Sequence, residues 1–271
     1  MQIFWAGVSL LGGEFGVNTE ESVTHEKGED AHGASEADAS SGCAACPFRH
    51  VGFCGAVIGA NSEARRRRQA EGTVRARQHI YRLGETPGRI VVLRRGWAIR
   101  SAIAADGRRQ VLSILLPGDI AGGELIMRQQ VRTPVQSLTP VEYCTFDVGN
   151  LRDAAKRDPD LVWAFVEICF AGREASEARL VDLGRRNAEQ RLARLIIDLH
   201  QRLTSKGLAQ GDTIPFPLRQ QTIADALGLT QVHVSRVMRS LRQARILQTG
   251  NGLLTILDMD ALMSVAECFD T

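Results

Sequence analysis

Residues 219–245 read RQQTIADALGLTQVHVSRVMRSLRQAR, and this stretch decides the fold of the last third of the chain. Two sets of apolar residues in it recur at helical spacing. They are Ile223, Ala224 and Leu227 in the first set, and Val234, Val237 and Leu241 in the second. Gly228 ends the first helix, and Thr230 is a good N-cap for the next one. The stretch therefore predicts two helices joined by a tight glycine turn, the helix-turn-helix that fits a DNA major groove.

The polar side chains of the predicted second helix point away from its apolar face. They are Gln231, His233, Ser235, Arg236 and Arg239, while Gln220 lies at the start of the first helix. The planar fork of Arg236 matches the O6 and N7 acceptors of guanine, and Ser235 beside it can reach a base edge or a phosphate. These six residues are the predicted DNA contacts, although many packed helix pairs that bind no DNA share such a pattern.

The segment after the second helix supports this interpretation. Residues 246–258 read ILQTGNGLLTILD, in which Gly250-Asn251-Gly252 indicates a hairpin turn between two short strands, the wing of a winged helix. Net charge is only +2, yet arginines are frequent in the last third of the chain. Among them are Arg185, Arg186, Arg191, Arg194, Arg219, Arg236, Arg239, Arg242 and Arg245. Solvated helix faces also collect arginine, so the charge supports double-stranded DNA as the partner without deciding it.

Composition is that of an ordinary globular protein, with 44% hydrophobic and 24% charged residues. No apolar run reaches the roughly 20 residues that cross a bilayer, and the apolar start has no basic leader, so we expect no membrane contact and a cytoplasmic location. An enzyme is the main alternative class. The sequence offers no nucleophile elbow, P-loop, dinucleotide fingerprint or paired histidine motif, which disfavours catalysis.

The middle of the chain alternates short apolar runs with turn signals. Strands are predicted near Ile90–Leu93, Ala98–Ile103, Val111–Leu115 and Glu142–Phe146. The turn signals between them are Gly88, Gly96, Asp106-Gly107 and Pro117-Gly118. This pattern predicts an antiparallel barrel or roll.

A long helix is predicted to follow the roll, from Asp158-Pro159 to about Leu183. Its stripe consists of Leu161, Phe165, Ile168, Gly172, Ala175, Arg179 and Val181–Leu183. Long amphipathic helices often pair with a second copy, although packing on the chain's own roll accounts for part of the stripe. A further helix, Ala188 to Leu203, opens the C-terminal domain.

Four parts of the chain are therefore predicted. Residues 1–42 form a flexible tail, because residues 14–42 contain few large apolar side chains. Residues 43–157 form a cysteine segment and a sensory roll, residues 158–184 a dimerisation helix, and residues 185–271 the winged helix-turn-helix. The fold class is α+β.

Three of the six cysteines are closely spaced. Residues 43–54 read CAACPFRHVGFC and place Cys43, Cys46 and Cys54 where their thiolates can converge on one metal centre. A fourth ligand must come from elsewhere, and Cys144 in the last predicted strand is the natural candidate. The residues alone leave open zinc, thiol redox chemistry or no cofactor at all.

Several of these segments resemble the CRP/FNR superfamily over residues 43–266. They are DGRRQVLSILLPGD at residues 106–119, NAEQRLA at 187–193 and GLTQVHVSR at 228–236. The resemblance implies a cyclic-nucleotide-binding-like beta-roll, a long dimerisation helix, a C-terminal winged helix and a homodimer that binds palindromic DNA. An FNR-like half-site of the TTGAT type is expected. Val232 departs from the family, because many members carry a base-reading glutamate at that position.

The cysteine pattern resembles the FNR-type branch. This implies that Cys43, Cys46, Cys54 and Cys144 hold a 4Fe-4S cluster, and that oxygen weakens DNA binding through its loss. Cys169 and Cys268 are left out as small buried hydrophobic residues. Without a cluster, the alternative is a family regulator that senses thiol redox state, zinc or another small ligand.

Two other partners follow from the same resemblance. The turn from Ala105 to Arg109 matches a surface that contacts RNA polymerase in relatives, but Arg108 and Arg109 make it basic. A cyclic nucleotide is not expected as a ligand, because Arg132-Thr133 comes too soon after Gly123-Glu124. Pro134-Val135 then occupies the place of the arginine and hydroxyl residue that hold a cyclic nucleotide's phosphate.

Overall fold

The computed structural model describes residue 43 and residues 46–50, 52–59 and 68–266. The predicted tail, residues 1–42, and Cys268 lie outside the described residues. No helix in the part of the chain that the structure describes is both long and apolar enough to cross a membrane.

The N-terminal part is an antiparallel roll of eight strands preceded by helix α1, Gly52–Gly59. The strands are β1 Arg68–Val74, β2 His79–Tyr81, β3 Arg89–Arg95, β4 Ala98–Ile103, β5 Arg109–Leu115, β6 Ile120–Ala121, β7 Val135–Ser137 and β8 Val141–Asp147. They form two four-stranded sheets, ordered β1-β8-β3-β6 and β2-β7-β4-β5. A 3-10 turn, Gly123–Ile126, lies between β6 and β7.

All four strands that the sequence predicts are present, as β3, β4, β5 and β8. The sequence misses β2, β6 and β7, which have only 3, 2 and 3 residues and therefore show no period. It also misses β1, whose sequence RQAEGTV is mostly polar and is held by pairing along the whole of β8.

The core of the roll lies between its two sheets. Ile90 and Phe146 enter it from one sheet, and Tyr81, Ala98 and Leu115 from the other. Gly96, at the turn before β4, has a φ of 81°. A Cβ there would lie 2.1 Å from the carbonyl oxygen of Pro140, so the turn requires glycine.

Two helices leave the roll, α2 at Val148–Arg157 and α3 at Pro159–Arg185. The predicted start of the long helix is confirmed, since the Asp158 side chain accepts a hydrogen bond from the Asp160 amide and Pro159 occupies the first turn. Leu161 is buried, and Phe165 and Ile168 pack partly against the core of the roll.

The rest of α3 is largely exposed in the single chain. Large apolar residues on it remain in contact with solvent, namely Val162, Trp163, Phe170, Leu180 and Val181. The predicted stripe itself follows the roll further, because Arg179 donates to the Leu112 carbonyl of β5. Of the exposed apolar residues, only Val181 belongs to that stripe.

The described C-terminal residues, up to residue 266, form four helices and a small sheet. They are α4 Ala188–Ser205, β9 Thr213–Pro215, α5 Gln220–Leu227, α6 Gln231–Gln243, β10 Leu247–Gly250, β11 Leu253–Ile256 and α7 Met259–Ala266. Asn187 and Gln190 form a reciprocal capping box at the start of α4. Asn251 and Gly252, with φ values of 52° and 75°, make the two-residue turn between β10 and β11.

Candidate DNA interface and cysteine cavity

Helices α5 and α6 form the predicted helix-turn-helix. Ile223 and Leu227 of α5 and Val234 and Val237 of α6 are buried between them and the rest of the domain. Gly228 joins the helices in the left-handed conformation, with a φ of 64°. The Thr230 hydroxyl accepts a hydrogen bond from the His233 amide, which fixes the start of α6.

The predicted DNA contacts lie on the outer side of this helix pair. Gln220, Gln231, His233, Arg236 and Arg239 are exposed, and Ser235 is half-buried. Val232, where the resemblance leads one to expect glutamate, is 69% exposed on the same helix. The arrangement presents hydrogen-bond donors and positive charge from one helix, as a major groove requires.

One contact that links α6 to the wing was not predicted. The Arg242 guanidinium donates to the Thr249 hydroxyl on β10 at 3.3 Å. Arg242 is among the basic residues of the sequence, but nothing in the pattern indicates its partner. The contact helps to fix the wing beside the recognition helix α6.

The first helix of the pair contacts the roll directly. Arg109 of β5 donates to the Asp225 carboxylate of α5 at 2.8 Å from Nε and 2.7 Å from Nη2. Gln110 donates to the Ala226 carbonyl at 3.3 Å. The sequence analysis counted Arg108 and Arg109 together as basic residues of the Ala105–Arg109 turn. Arg109 is instead paired with Asp225 of α5. Arg108 is exposed and bonds Asp106 at 2.6 Å.

A second group of polar contacts joins α4 to the turn after β5. The Asp119 carboxylate accepts from Arg202 at 2.8 Å and from Lys206 at 2.9 Å. Arg202 also donates to the Ile114 carbonyl at 2.9 Å. Apolar packing follows the same path, because Trp97, Ile99 and Val111 of the roll belong to the same buried cluster as the core of the C-terminal domain.

The predicted sensor cysteines line one cavity. Cys43, Cys46, Cys54 and Cys144 lie around it with Phe48, Arg49, Val92, Leu93, Arg94 and Phe146. Cys43, Cys54 and Cys144 are buried, and Cys46 is half-buried. The fold thus brings Cys43 and Cys46 of the N-terminal segment, Cys54 of α1 and Cys144 of β8 to one cavity.

Four cysteine sulfurs are the ligands that zinc and iron-sulfur centres prefer, and the largely buried cavity would shield such a centre from solvent. The half-buried position of Cys46 would leave such a centre partly accessible to small molecules. Within the described residues, however, no group of three or more His, Cys, Asp or Glu side chains is arranged as a metal site.

Cys169, which the sequence analysis left out of the ligand set, lies on α3 and is exposed in the single chain. The expectation that it is a small buried residue is wrong, because α3 turns this side away from the roll. It lies outside the cysteine cavity.

The cysteine segment also touches the elements that hold the DNA-binding domain. The Phe53 ring, next to Cys54, contacts the Phe146 ring at 5.2 Å and the Phe165 ring of α3 at 5.5 Å between centroids. Phe48 packs over Gly118, where a Cβ would lie 3.1 Å from the ring. Gly118 precedes Asp119, the residue that binds Arg202 and Lys206 of α4.

The roll, the long helix and the exposed recognition helix define a two-domain regulator of the winged helix-turn-helix class. The sequence model of the cyclic nucleotide-binding domain matches residues 71–158, and that of the Crp-like helix-turn-helix domain matches residues 190–265. The chain belongs to the CRP/FNR family of transcription regulators.

Individual relatives agree with this assignment. The nitrogen fixation regulation protein FixK of Bradyrhizobium diazoefficiens is 34% identical over 156 residues, which span 56% of this chain and 63% of that protein. The anaerobic regulatory protein of Pasteurella multocida is 26% identical over 189 residues, 70% of this chain and 69% of that one. These relatives are regulators by name, which confirms the expectation of a regulator rather than an enzyme.

Solved structures support the fold. FixK2 from Bradyrhizobium japonicum has a TM-score of 0.68 at 23% identity, and the match covers 74% of this chain and 98% of that one. The predicted fold class is confirmed. The chain spans 63% of the length of the FixK relative.

Proposed function

We propose that the protein is a homodimeric regulator that binds palindromic promoter DNA and releases it when oxygen destroys a 4Fe-4S cluster. The observation that carries the sensing part is that Cys43, Cys46, Cys54 and Cys144 line one cavity. The observation that carries the DNA-binding part is the exposed polar side of α6.

DNA reading is assigned to the recognition helix. Arg236 would donate to guanine in the major groove, with Ser235 beside it, while Gln231, His233, Arg239 and Gln220 would contact neighbouring bases or phosphates. An FNR-like half-site suits Arg236 and Ser235. Val232 has no acceptor for cytosine N4, so we expect weaker discrimination at the base pair that a glutamate would read.

Dimerisation is assigned to α3. Its exposed Val162, Trp163, Phe170, Leu180 and Val181 provide apolar surface that a second copy of the helix would cover. A two-fold dimer would present two copies of α6, as a palindromic site requires. An RNA polymerase contact at the Ala105–Arg109 turn would involve Arg108, because Arg109 is bonded to Asp225.

The cluster, when bound, supplies a centre that dioxygen oxidises and degrades. The chain's own residues transmit its presence. Phe53 packs on Phe165, so a shift of the cysteine segment would change the packing of the first turns of α3. Phe48 packs on Gly118, so the same shift would change the position of Asp119 and its contacts with α4. Loss of the segment's fixed position would loosen both contacts.

The test is purification of the full chain under strict anoxia, followed by iron, sulfide and zinc analysis and Mössbauer spectroscopy before and after air. We expect about four irons per chain with a 4Fe-4S signature that air removes. A colourless protein that holds zinc and no iron would contradict oxygen sensing through a cluster and would favour the zinc alternative. A metal-free protein whose DNA affinity follows thiol oxidation would favour thiol redox sensing.

A further inference from the structure

The charged residues that line the cysteine cavity are both cations. They are Arg49 and Arg94, and no carboxylate is among the described residues of the cavity wall. Four thiolates around Zn²⁺, or around a 4Fe-4S core of charge 2+, leave two net negative charges. Negative charge in a largely buried cavity is unfavourable unless a positive group lies beside it. The cavity wall therefore carries the charge that a four-thiolate centre requires.

Arg94 is held across the strand that carries Cys144. Strand β8 lies between β1 and β3, and Cys144 is paired with Glu71 of β1 and with Val92 of β3. Directly paired residues project from the same face of a sheet, so Glu71 and Cys144 share a face. Arg94 lies in a bulge, where the register of β3 against β8 shifts, and its Nη1 bonds the Glu71 carboxylate at 2.6 Å. The ion pair therefore spans β8 beside Cys144.

This ion pair presents its positive end to the cavity. The structure describes both residues, and of the two only Arg94 lines the cavity. Its side chain is 28% exposed, whereas that of Arg95, the next residue, is 79% exposed and paired with Glu142. Solvent therefore screens the charge of Arg94 less than that of Arg95. The guanidinium also has further N–H donors besides the one that bonds Glu71.

We propose that Arg94 neutralises part of the charge of a metal centre held by Cys43, Cys46, Cys54 and Cys144, and that Glu71 positions its guanidinium. The proposal rests on the proposed function only in that the four cysteines bind a metal, and it holds for zinc as well as for a cluster. Groups that surround metal ligands change metal affinity by roughly 10–100-fold when they are replaced. We expect an effect of Arg94 in that range.

The test is anaerobic titration of the full chain, reduced and metal-free, with Co²⁺, whose bonds to thiolate sulfur absorb in the near ultraviolet. We expect the parent to bind Co²⁺ with this absorption. Arg94→Met should weaken the binding roughly tenfold or more. Arg95→Met is the matched control, because Arg95 neighbours Arg94 in β3, is also paired with a glutamate and does not line the cavity. It should leave the Co²⁺ affinity unchanged.

Two further variants separate the charge of Arg94 from the stability of the sheet. Arg94→Lys keeps the positive charge and should recover most of the lost Co²⁺ affinity. Glu71→Gln keeps an acceptor for Arg94 and removes a negative charge near the centre, so it should bind Co²⁺ at least as tightly as the parent. A purely structural role of the ion pair would instead make Glu71→Gln bind as weakly as Arg94→Met.

Four results would each overturn the proposal: no thiolate absorption in the parent, unchanged affinity of Arg94→Met, no recovery by Arg94→Lys, or a loss in Glu71→Gln equal to that in Arg94→Met. These results are distinct from those of the iron analysis. A chain that binds Co²⁺ through thiolates as expected but holds no iron after anoxic purification would contradict the cluster and support the role of Arg94. A chain that holds the cluster and whose Arg94→Met variant binds Co²⁺ like the parent would do the reverse.

Discussion

Replacing Arg109 with methionine should weaken the contact between the roll and the helix-turn-helix and lower the free energy of unfolding. The guanidinium bonds one carboxylate oxygen of Asp225 through two nitrogens, at 2.8 and 2.7 Å. The two side chains are 28% and 10% exposed, so the pair lies between a surface ion pair and a buried one. Surface pairs contribute about 0–1 kcal/mol and breaking buried ones costs about 3–5 kcal/mol, so we expect a loss of about 1–3 kcal/mol.

A double-mutant cycle isolates the pair from other effects. Urea unfolding would compare the parent, Arg109→Met, Asp225→Asn and the double variant at one protein concentration, since a dimer's stability depends on concentration. We expect a coupling energy of about 1–2 kcal/mol. Arg108→Met is the control, because Arg108 bonds Asp106 of its own turn, and it should cost less than about 0.5 kcal/mol. A coupling below about 0.5 kcal/mol would refute a structural role for this contact.

Three further predictions concern the recognition helix and the cysteine segment. Arg236→Ala should lose about 1–3 kcal/mol of discrimination at one base pair in competition gel shifts. The control Arg194→Ala, on α4, should keep that discrimination. A footprint of Arg236→Ala identical to the parent's would contradict the role of Arg236 in reading a base. Thr230→Ala should lower the free energy of unfolding by about 1 kcal/mol, because it removes the cap of α6, and a neutral result would contradict the cap. Phe53→Ala should cost about 3–5 kcal/mol in chemical denaturation, since the ring is 2% exposed between Phe146 and Phe165.

The winged helix could be predicted in detail because its signals are local. The spacing of Ile223 and Leu227, the glycine at 228 and the Asn251-Gly252 turn each act within a few residues. The same holds for the start of α3 at Asp158-Pro159. Such features depend on backbone preference and helical period, and the structure reproduces them.

The contacts between the two domains could not be predicted in this way. Arg109 and Asp225 are 116 residues apart, and neither position carries a pattern that indicates the other. The short strands β2, β6 and β7 exist because neighbouring strands pair with them rather than because of their own sequence. Cys144 was predicted as the fourth ligand from its place in the last predicted strand, and the family resemblance implied the same residue. Its place at the cavity depends on the pairing of β8 with β3.

Promoter occupancy of a Cys144→Ser variant under strict anoxia tests most directly the coupling between the cysteine centre and DNA binding. Quantitative footprinting on an FNR-like palindrome would compare the variant with the parent and with Cys169→Ser, which changes a cysteine outside the cavity. We predict that Cys144→Ser loses most of the occupancy and that Cys169→Ser keeps it. Undiminished occupancy by Cys144→Ser would contradict the proposed sensing mechanism.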